Sequence, residues 1–175
     1  MKLETKRLIL RDIDKKDTKS IIENINNLNV SQWLLVVPYP YTRADATWWI
    51  GHCKKQSMGK KRGDYNLGIE LKSEKKIIGG IGLSLVDKFQ GTGEVGYWLG
   101  ENYWRQGYSS EVLAEVLKFA FNKLKLRRID AKVFAGNPSS GKLLEKFGFK
   151  KEGFKKKGVR CKADGKIKDD VYYGL

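Results

Sequence analysis

The stretch from Gly93 to Glu111, GEVGYWLGENYWRQGYSSE, constrains this chain more than any other. A strand-like run from Gly93 to Leu99 breaks at Gly100, and the turn Trp104-Arg105-Gln106-Gly107-Tyr108-Ser109 opens directly into an amphipathic helix. Between Ser109 and Leu124 the apolar residues Val112, Leu113, Val116, Leu117, Ala120, Phe121 and Leu124 recur at helical spacing, while Glu111, Glu115 and Lys118 stay polar. That pattern predicts a helix packed on a sheet by one broad face. The first N–H groups of such a helix have no partner within it, and its dipole adds partial positive charge there. The layout suits a polyphosphate held beside a working edge of sheet; it equally suits a helix capped by Gly and Ser with no ligand.

The glycines just upstream spell G-x-G-x-x-G at Gly91-Thr92-Gly93-Glu94-Val95-Gly96, but they precede and enter a strand instead of closing one. A dinucleotide fingerprint needs the opposite order, so the match is discarded and Gly107 is the useful glycine. Along the strand, Glu94 alternates with Gly96 and Trp98 on one face, and Val95, Tyr97 and Leu99 take the other.

The flanking chain reads as one α/β domain over residues 1–175. Arg7 to Arg11 alternates as a first strand, and Asp14 or Asp17 caps a helix with Ile21, Ile22, Ile25 and Leu28 on one side. Trp33 to Tyr41 carries two prolines and is expected to be irregular. Thr42, with Asp45 in the first turn, caps a second helix whose apolar face is Trp48, Trp49 and Cys53. The aromatics Trp33, Tyr39, Tyr41, Trp48 and Trp49 are read as core or as the wall of a pocket, and His52, the single histidine, as a surface or packing residue. Tyr65 to Leu71, Lys76 to Val86 and Gly93 to Leu99 form an antiparallel meander, with Gly79, Gly80 and Gly82 marking a bulge or close approach. Arg128 to Ala135 is a fifth strand, Asn137-Pro138 starts a helix that ends at Gly148, and two strands close the chain.

A core of 41% hydrophobic residues in 175 supports one such unit and not two. The net charge of +15 points to anionic company or to solubility alone. Residues 146–175 hold ten Lys/Arg and four Asp/Glu, read as a solvated face or as an RNA contact. Cys53 and Cys161 have neither disulfide nor zinc spacing, and MKLETKRLIL has no signal-peptide pattern, so a reducing cytoplasm is expected, with no metal and no membrane span.

Tyr103-Trp104-Arg105-Gln106-Gly107-Tyr108-Ser109-Ser110-Glu111 resembles the acetyl-CoA loop of the GNAT acetyltransferases. The opening Glu4 to Arg11, the segment Gly93 to Leu99, and Asn137-Pro138-Ser139-Ser140 leading to Glu145-Lys146-Phe147-Gly148-Phe149 resemble the RimJ/RimL-type branch in the same order and spacing. The resemblance implies a mixed, mostly antiparallel sheet, flanked by about four helices and splayed open after Leu99 between the fourth and fifth predicted strands. It implies acetyl-CoA as co-substrate: backbone of Tyr97, Trp98 and Leu99 meets the pantetheine arm, and Arg105, Gln106, Gly107, Tyr108, Ser109 and Ser110 meet the phosphates. Asn137 is assigned to the cofactor, Glu94 takes the general-base position and Ser140 a place beside the cofactor sulfur. Two departures stand out: Ser109 replaces the usual Gly or Ala, and Leu144 replaces a tyrosine proposed as general acid. The acceptor implied is a protein N-terminal α-amine, of ribosomal-protein type; a polyamine or aminoglycoside is the alternative, and a non-catalytic acetyl-CoA- or RNA-binding module is a third reading. Partners expected are the acceptor and, through the basic surface, a ribosome or RNA, with the protein a monomer or homodimer.

Overall fold

The computed structural model describes residues 1–59 and 63–175. In chain order its elements are β1 (Lys2–Glu4), β2 (Leu8–Arg11), α1 (Thr18–Ile25), the one-turn α2 (Leu28–Ser31), α3 (Arg43–Ser57), β3 (Tyr65–Leu71), β4 (Lys76–Asp87), β5 (Thr92–Leu99), α4 (Tyr108–Lys118), β6 (Arg128–Phe134), α5 (Pro138–Lys146), β7 (Lys150–Arg160) and β8 (Ile167–Gly174). The strands form one sheet in the order β1-β2-β3-β4-β5-β6-β8-β7. Neighbours are antiparallel except β5 and β6, which run parallel. The mixed, mostly antiparallel sheet is the architecture the GNAT resemblance implies, with β1 added at one edge.

The parallel pairing is short: Thr92, Gly93 and Glu94 face Arg128, Ile129 and Asp130, and no rung follows. The sheet therefore splays after Glu94, not after Leu99 as expected. All of Val95 to Leu99 lies beside the opening.

Two clusters fill the two faces. Ile77 joins Ile21, Ile25, Ala46 and Ile50 of α1 and α3, whereas its neighbour Ile78 joins Val112, Leu113 and Val116 of α4 and Leu144 of α5. Successive strand residues point to opposite faces, so α1 and α3 cover one side of the sheet and α4 and α5 the other. A bulge between Ile69/Glu70 and Gly79/Ile77 falls in the predicted glycine stretch. Beyond it, a Cβ on Gly80 would lie 2.6 Å from the Trp98 indole nitrogen, so the glycine lets that ring rest on β4.

Local chemistry explains most helix limits. Asp14 and Asp17 form a reciprocal cap, as do Thr42 and Asp45. Gly148, with φ of +91°, terminates the last helix. Leu28 leaves the predicted α1 face because Asn26 ends that helix, its side chain accepting from Tyr41 N–H at 2.8 Å, and Asn27 caps a new turn. On α3 the inner face is Ala46, Ile50 and Cys53; Trp48 is 68% exposed. The α4 helix ends in a π-helical turn, Phe119–Lys123.

Arg11 ties the entry of α1 to the sheet. Its guanidinium grips Asp17 through two bonds of 2.8 Å and reaches Glu70 at 2.6 Å. Burial opposes ionisation of Asp17, but bonds from Arg11 and from Asp14 N–H outweigh it and hold the carboxyl below its ordinary value. A depressed carboxyl adds stability that is present above its unfolded value and lost as pH falls through the folded one. Asp17→Asn is expected to cost about 2 kcal/mol at pH 7, less than for a fully buried pair because Glu70 still holds Arg11, lowering Tm by roughly 4–8 °C. The gap from wild type should begin to close below about pH 4 in thermal melts and narrow further as pH falls through the depressed folded value; a gap that does not narrow at all would place the effect elsewhere.

Candidate active site

Gly107 has φ of +80° and precedes α4 with no side-chain cap. The first N–H of the helix ladder is Glu111, which donates to the Gly107 carbonyl at 3.1 Å. The N–H groups of Gly107, Tyr108, Ser109 and Ser110 thus stand ahead of the ladder at the positive end of the dipole. Glu111, an acid in that first turn, would compete with an anion, but it is turned away. It accepts from Thr5 Oγ1 at 2.5 Å, Arg7 N–H at 2.8 Å and Arg7 Nε at 2.7 Å. Burial pushes its carboxyl up, and these three bonds more than offset that and hold it down, ionised. Arg7 also donates to the Gln106 carbonyl at 2.9 Å and lies 4.2 Å from the Tyr108 ring centre. The opening segment and the loop motif therefore belong to one clamp. Tyr108 is buried by it, so the residue offers the site its N–H only.

The edge of β5 continues from this cradle. Gly100 N–H donates to the Ile78 carbonyl at 2.9 Å; with Gly80 opposite Trp98 and Gly82 opposite Gly96, Trp98 and Gly96 aim their backbone groups at β4. The alternation of an antiparallel ladder then turns Val95, Tyr97 and Leu99 toward the opening. Two expectations change. Trp98 gives its backbone to β4 and not to the gap, and the Leu99 carbonyl accepts from the Trp104 indole at 2.8 Å. Val95, missed in the sequence, joins Tyr97 on the free edge.

Across the opening, the Tyr97 phenol meets Ser140 Oγ at 2.9 Å, and burial pushes that phenol up to about 12. The two hydroxyls stand beside Leu144, which is fully buried and carries no proton to give. Asn137 is occupied as the α5 cap, its oxygen accepting from Ser140 N–H at 3.2 Å. That bond uses the side-chain oxygen alone, so the cap is compatible with a cofactor contact through the amide nitrogen.

At the fork Glu94 receives Lys132 Nζ at 2.6 Å. On the same face a cleft of about 830 Å³ is lined by Glu94, Gly96 and Trp98, by Tyr41, Trp48, Trp49 and His52, and by Leu34 to Pro38. His52 stacks on Trp48 and Trp49, at 5.3 and 5.6 Å between ring centres. So the pocket reading suits Tyr41, Trp48 and Trp49, while Trp33 sits against Gly136 and under Lys168. The turn between β7 and β8 holds the irregular wall: Lys162 N–H donates to the Leu35 carbonyl at 3.1 Å, and the buried Cys161 thiol points at the Gln32 and Leu34 carbonyls. Both cysteines are buried, and neither forms a disulfide.

An anion cradle, a free strand edge and a carboxylate opening onto a cleft are what a group-transfer enzyme with a phosphorylated, amide-containing carrier requires. Comparison with known proteins supplies the family. Residues 7–150 match the model described as an acetyltransferase (GNAT) domain. The chain is 30% identical over 175 residues to the uncharacterized N-acetyltransferase p20 of Bacillus licheniformis, covering 99% of this chain and 94% of that one. It shares its fold with ribosomal-protein-S5-alanine acetyltransferase from Vibrio fischeri, at a TM-score of 0.85, 22% identity and coverage of 100% and 96%. Spermidine N-acetyltransferase from Vibrio cholerae, in complex with CoA and spermine, matches with a TM-score of 0.79, 20% identity and coverage of 97% and 95%. The chain belongs to the GNAT acetyltransferase family and is an acetyl-CoA-dependent N-acetyltransferase. The unpaired N–H row at α4 and the open edge of β5 fit that co-substrate, which supplies an activated thioester. Among the described residues no cluster of metal-type ligands occurs, and no helix is long and apolar enough to cross a membrane.

Proposed function

We propose that this enzyme acetylates the N-terminal α-amine of a protein in the cytosol, with Glu94 as general base and Ser140, backed by Tyr97, ordering the sulfur side. The charge balance of the cleft carries this reading. Its lining has two carboxylates, Asp45 and Glu94, against Arg160 and Lys162, and Glu94 is already met by Lys132. A polyamine would need spare carboxylates for each extra ammonium, whereas a chain N-terminus brings one amine and otherwise amide and apolar surface. The ribosomal-protein and spermidine enzymes share this fold about equally, so the reading rests on the charge balance of the cleft and not on the fold.

An amine attacks only as the free base. At pH 7 roughly a tenth of α-amines are neutral but only about one lysine-like amine in 2,500. An α-amine thus asks little of Glu94, while a lysine-like amine asks about 3 kcal/mol more. The exposed cations of β7 offer a further surface for a ribosome-bound substrate. The test follows CoA release with N-terminal peptides, spermidine and an aminoglycoside, beside calorimetric binding of acetyl-CoA. Peptides are expected to turn over at least tenfold faster at pH 7 than polyamines. Turnover of polyamines alone would overturn the N-terminal reading, and tight binding without release from any amine would leave a non-catalytic module.

A further inference from the structure

Lys132 has no place in the sequence motifs, yet it stands at the fork. Glu94 and Asp130 form the last rung between β5 and β6, and Lys132 follows two residues on along the same face of β6. Its stem reaches back over the widening gap to place Nζ 2.6 Å from Glu94 Oε2. We propose that Lys132 is a positioning residue that fixes the Glu94 carboxylate at the mouth of the splay and restricts the enzyme to single amines that are already partly neutral. This inference rests on the N-terminal reading and extends it to what determines the choice.

The surroundings favour an ion pair that persists. Lys132 sits 6.0 Å from the Tyr172 ring centre, and its bond to Glu94, against some desolvation, holds the ammonium protonated beyond its ordinary range. On β6 the neighbouring Asp130 is taken by Arg128 at 2.6 Å. On β8 Asp170 is buried, and burial pushes its carboxyl up, which weakens it as a rival for the lysine. From the other side of the cleft Asp45 and His52 of α3 face Glu94, with Arg160 and Lys162 at the rim. Asp45 is held ionised by Thr42 and lies near Lys162. Among the described carboxylates near the fork, Asp130 is engaged by Arg128 and Asp170 acts on Lys132 only at a distance, so Glu94 is the one that bonds it directly.

During transfer the amine nitrogen bonds to the acetyl carbon, the carbon–sulfur bond breaks, the nitrogen's proton passes to Glu94 directly or through water, and CoA leaves as its thiolate. The ammonium occupies one oxygen of the carboxylate and repels a cation approaching it, which penalises acceptors that arrive fully protonated. The same ammonium repels the second charge of a polyamine.

The test measures kcat/KM against pH for an N-terminal peptide and for spermidine in wild type, Lys132→Met, Lys132→Gln and Lys132→Arg, with Glu94→Gln and the Glu94→Gln/Lys132→Met double variant. The spermidine-to-peptide ratio is expected to rise about tenfold in the Met and Gln variants, for about 1.4 kcal/mol of charge repulsion removed, and to stay near wild type in Lys132→Arg. In the Glu94→Gln background, loss of Lys132 should change that ratio less, because the carboxylate that holds the lysine at the fork is gone. A uniform loss on both acceptors, with the ratio unmoved, overturns the inference while wild-type peptide turnover keeps the N-terminal reading. Wild-type turnover of spermidine alone overturns both.

Discussion

Gly107→Val is expected to weaken CoA binding about 100-fold while leaving the protein folded. A Cβ at this position would meet nothing closer than Arg7 Nη2 at 3.5 Å, so space does not forbid a side chain. Conformation does: at φ of +80° an L-residue pays about 1–2 kcal/mol, and a β-branched one most. The turn relieves that strain by rotating its peptides, which swings the Gly107 and Tyr108 N–H groups off the line of the helix dipole. Losing two charge-assisted bonds of about 1.5 kcal/mol each gives the factor of roughly 100 in Kd. Gly165 provides the control, since it has φ of +67° and open space around it, in the turn between β7 and β8. Gly165→Val should lower Tm comparably and leave the calorimetric CoA affinity within about twofold. Equal affinity losses in both variants would mean that Gly107 matters for folding alone.

Which parts of this site could be read from residue order follows from the range of the interactions. The Gly107 turn, the Thr42 and Asn137 caps and the Gly148 stop depend on a few adjacent residues, and each formed where the sequence placed it. The face shared by Glu94, Gly96 and Trp98 follows from the period of two, and all three line the cleft. The onset of the splay depends on how many rungs β5 and β6 keep, and neither strand's periodicity records that number. Hence the sequence predicts the opening five residues too late, carries no signal for Val95, and does not show that the Trp98 backbone groups face β4. Lys132 lies 38 positions from Glu94 and reads locally as one more charge on an alternating strand. The Arg7 to Glu111 clamp joins two motifs that resemblance had marked separately, because each supplies the other's hydrogen bonds. Asn137 is legible locally only as a cap, its oxygen taking Ser140 N–H three residues on, whereas its cofactor assignment rests on the resemblance.

Glu94→Gln is the second large effect, and its dependence on the acceptor is what identifies a base. Glutamine keeps the shape and one oxygen for Lys132 but cannot accept a proton near neutrality. The pair is only partly buried, with the Glu94 and Lys132 side chains 26% and 46% exposed, so its loss should cost about 1 kcal/mol or less and leave the fold intact. For a peptide α-amine at pH 7 the expected fall in kcat/KM is about tenfold, since a useful fraction of the amine is already neutral. For a lysine-like amine the fall should reach about 100- to 1,000-fold, because the proton must be removed at the enzyme. Raising the pH from 7 to 9 supplies neutral α-amine without help, so the peptide defect should shrink toward unity while the lysine-like defect narrows only in part. Those two curves, measured by CoA release across pH, separate proton transfer from support. If Glu94 only braces the fork through Lys132, both acceptors lose the same factor at every pH, and the general-base role falls.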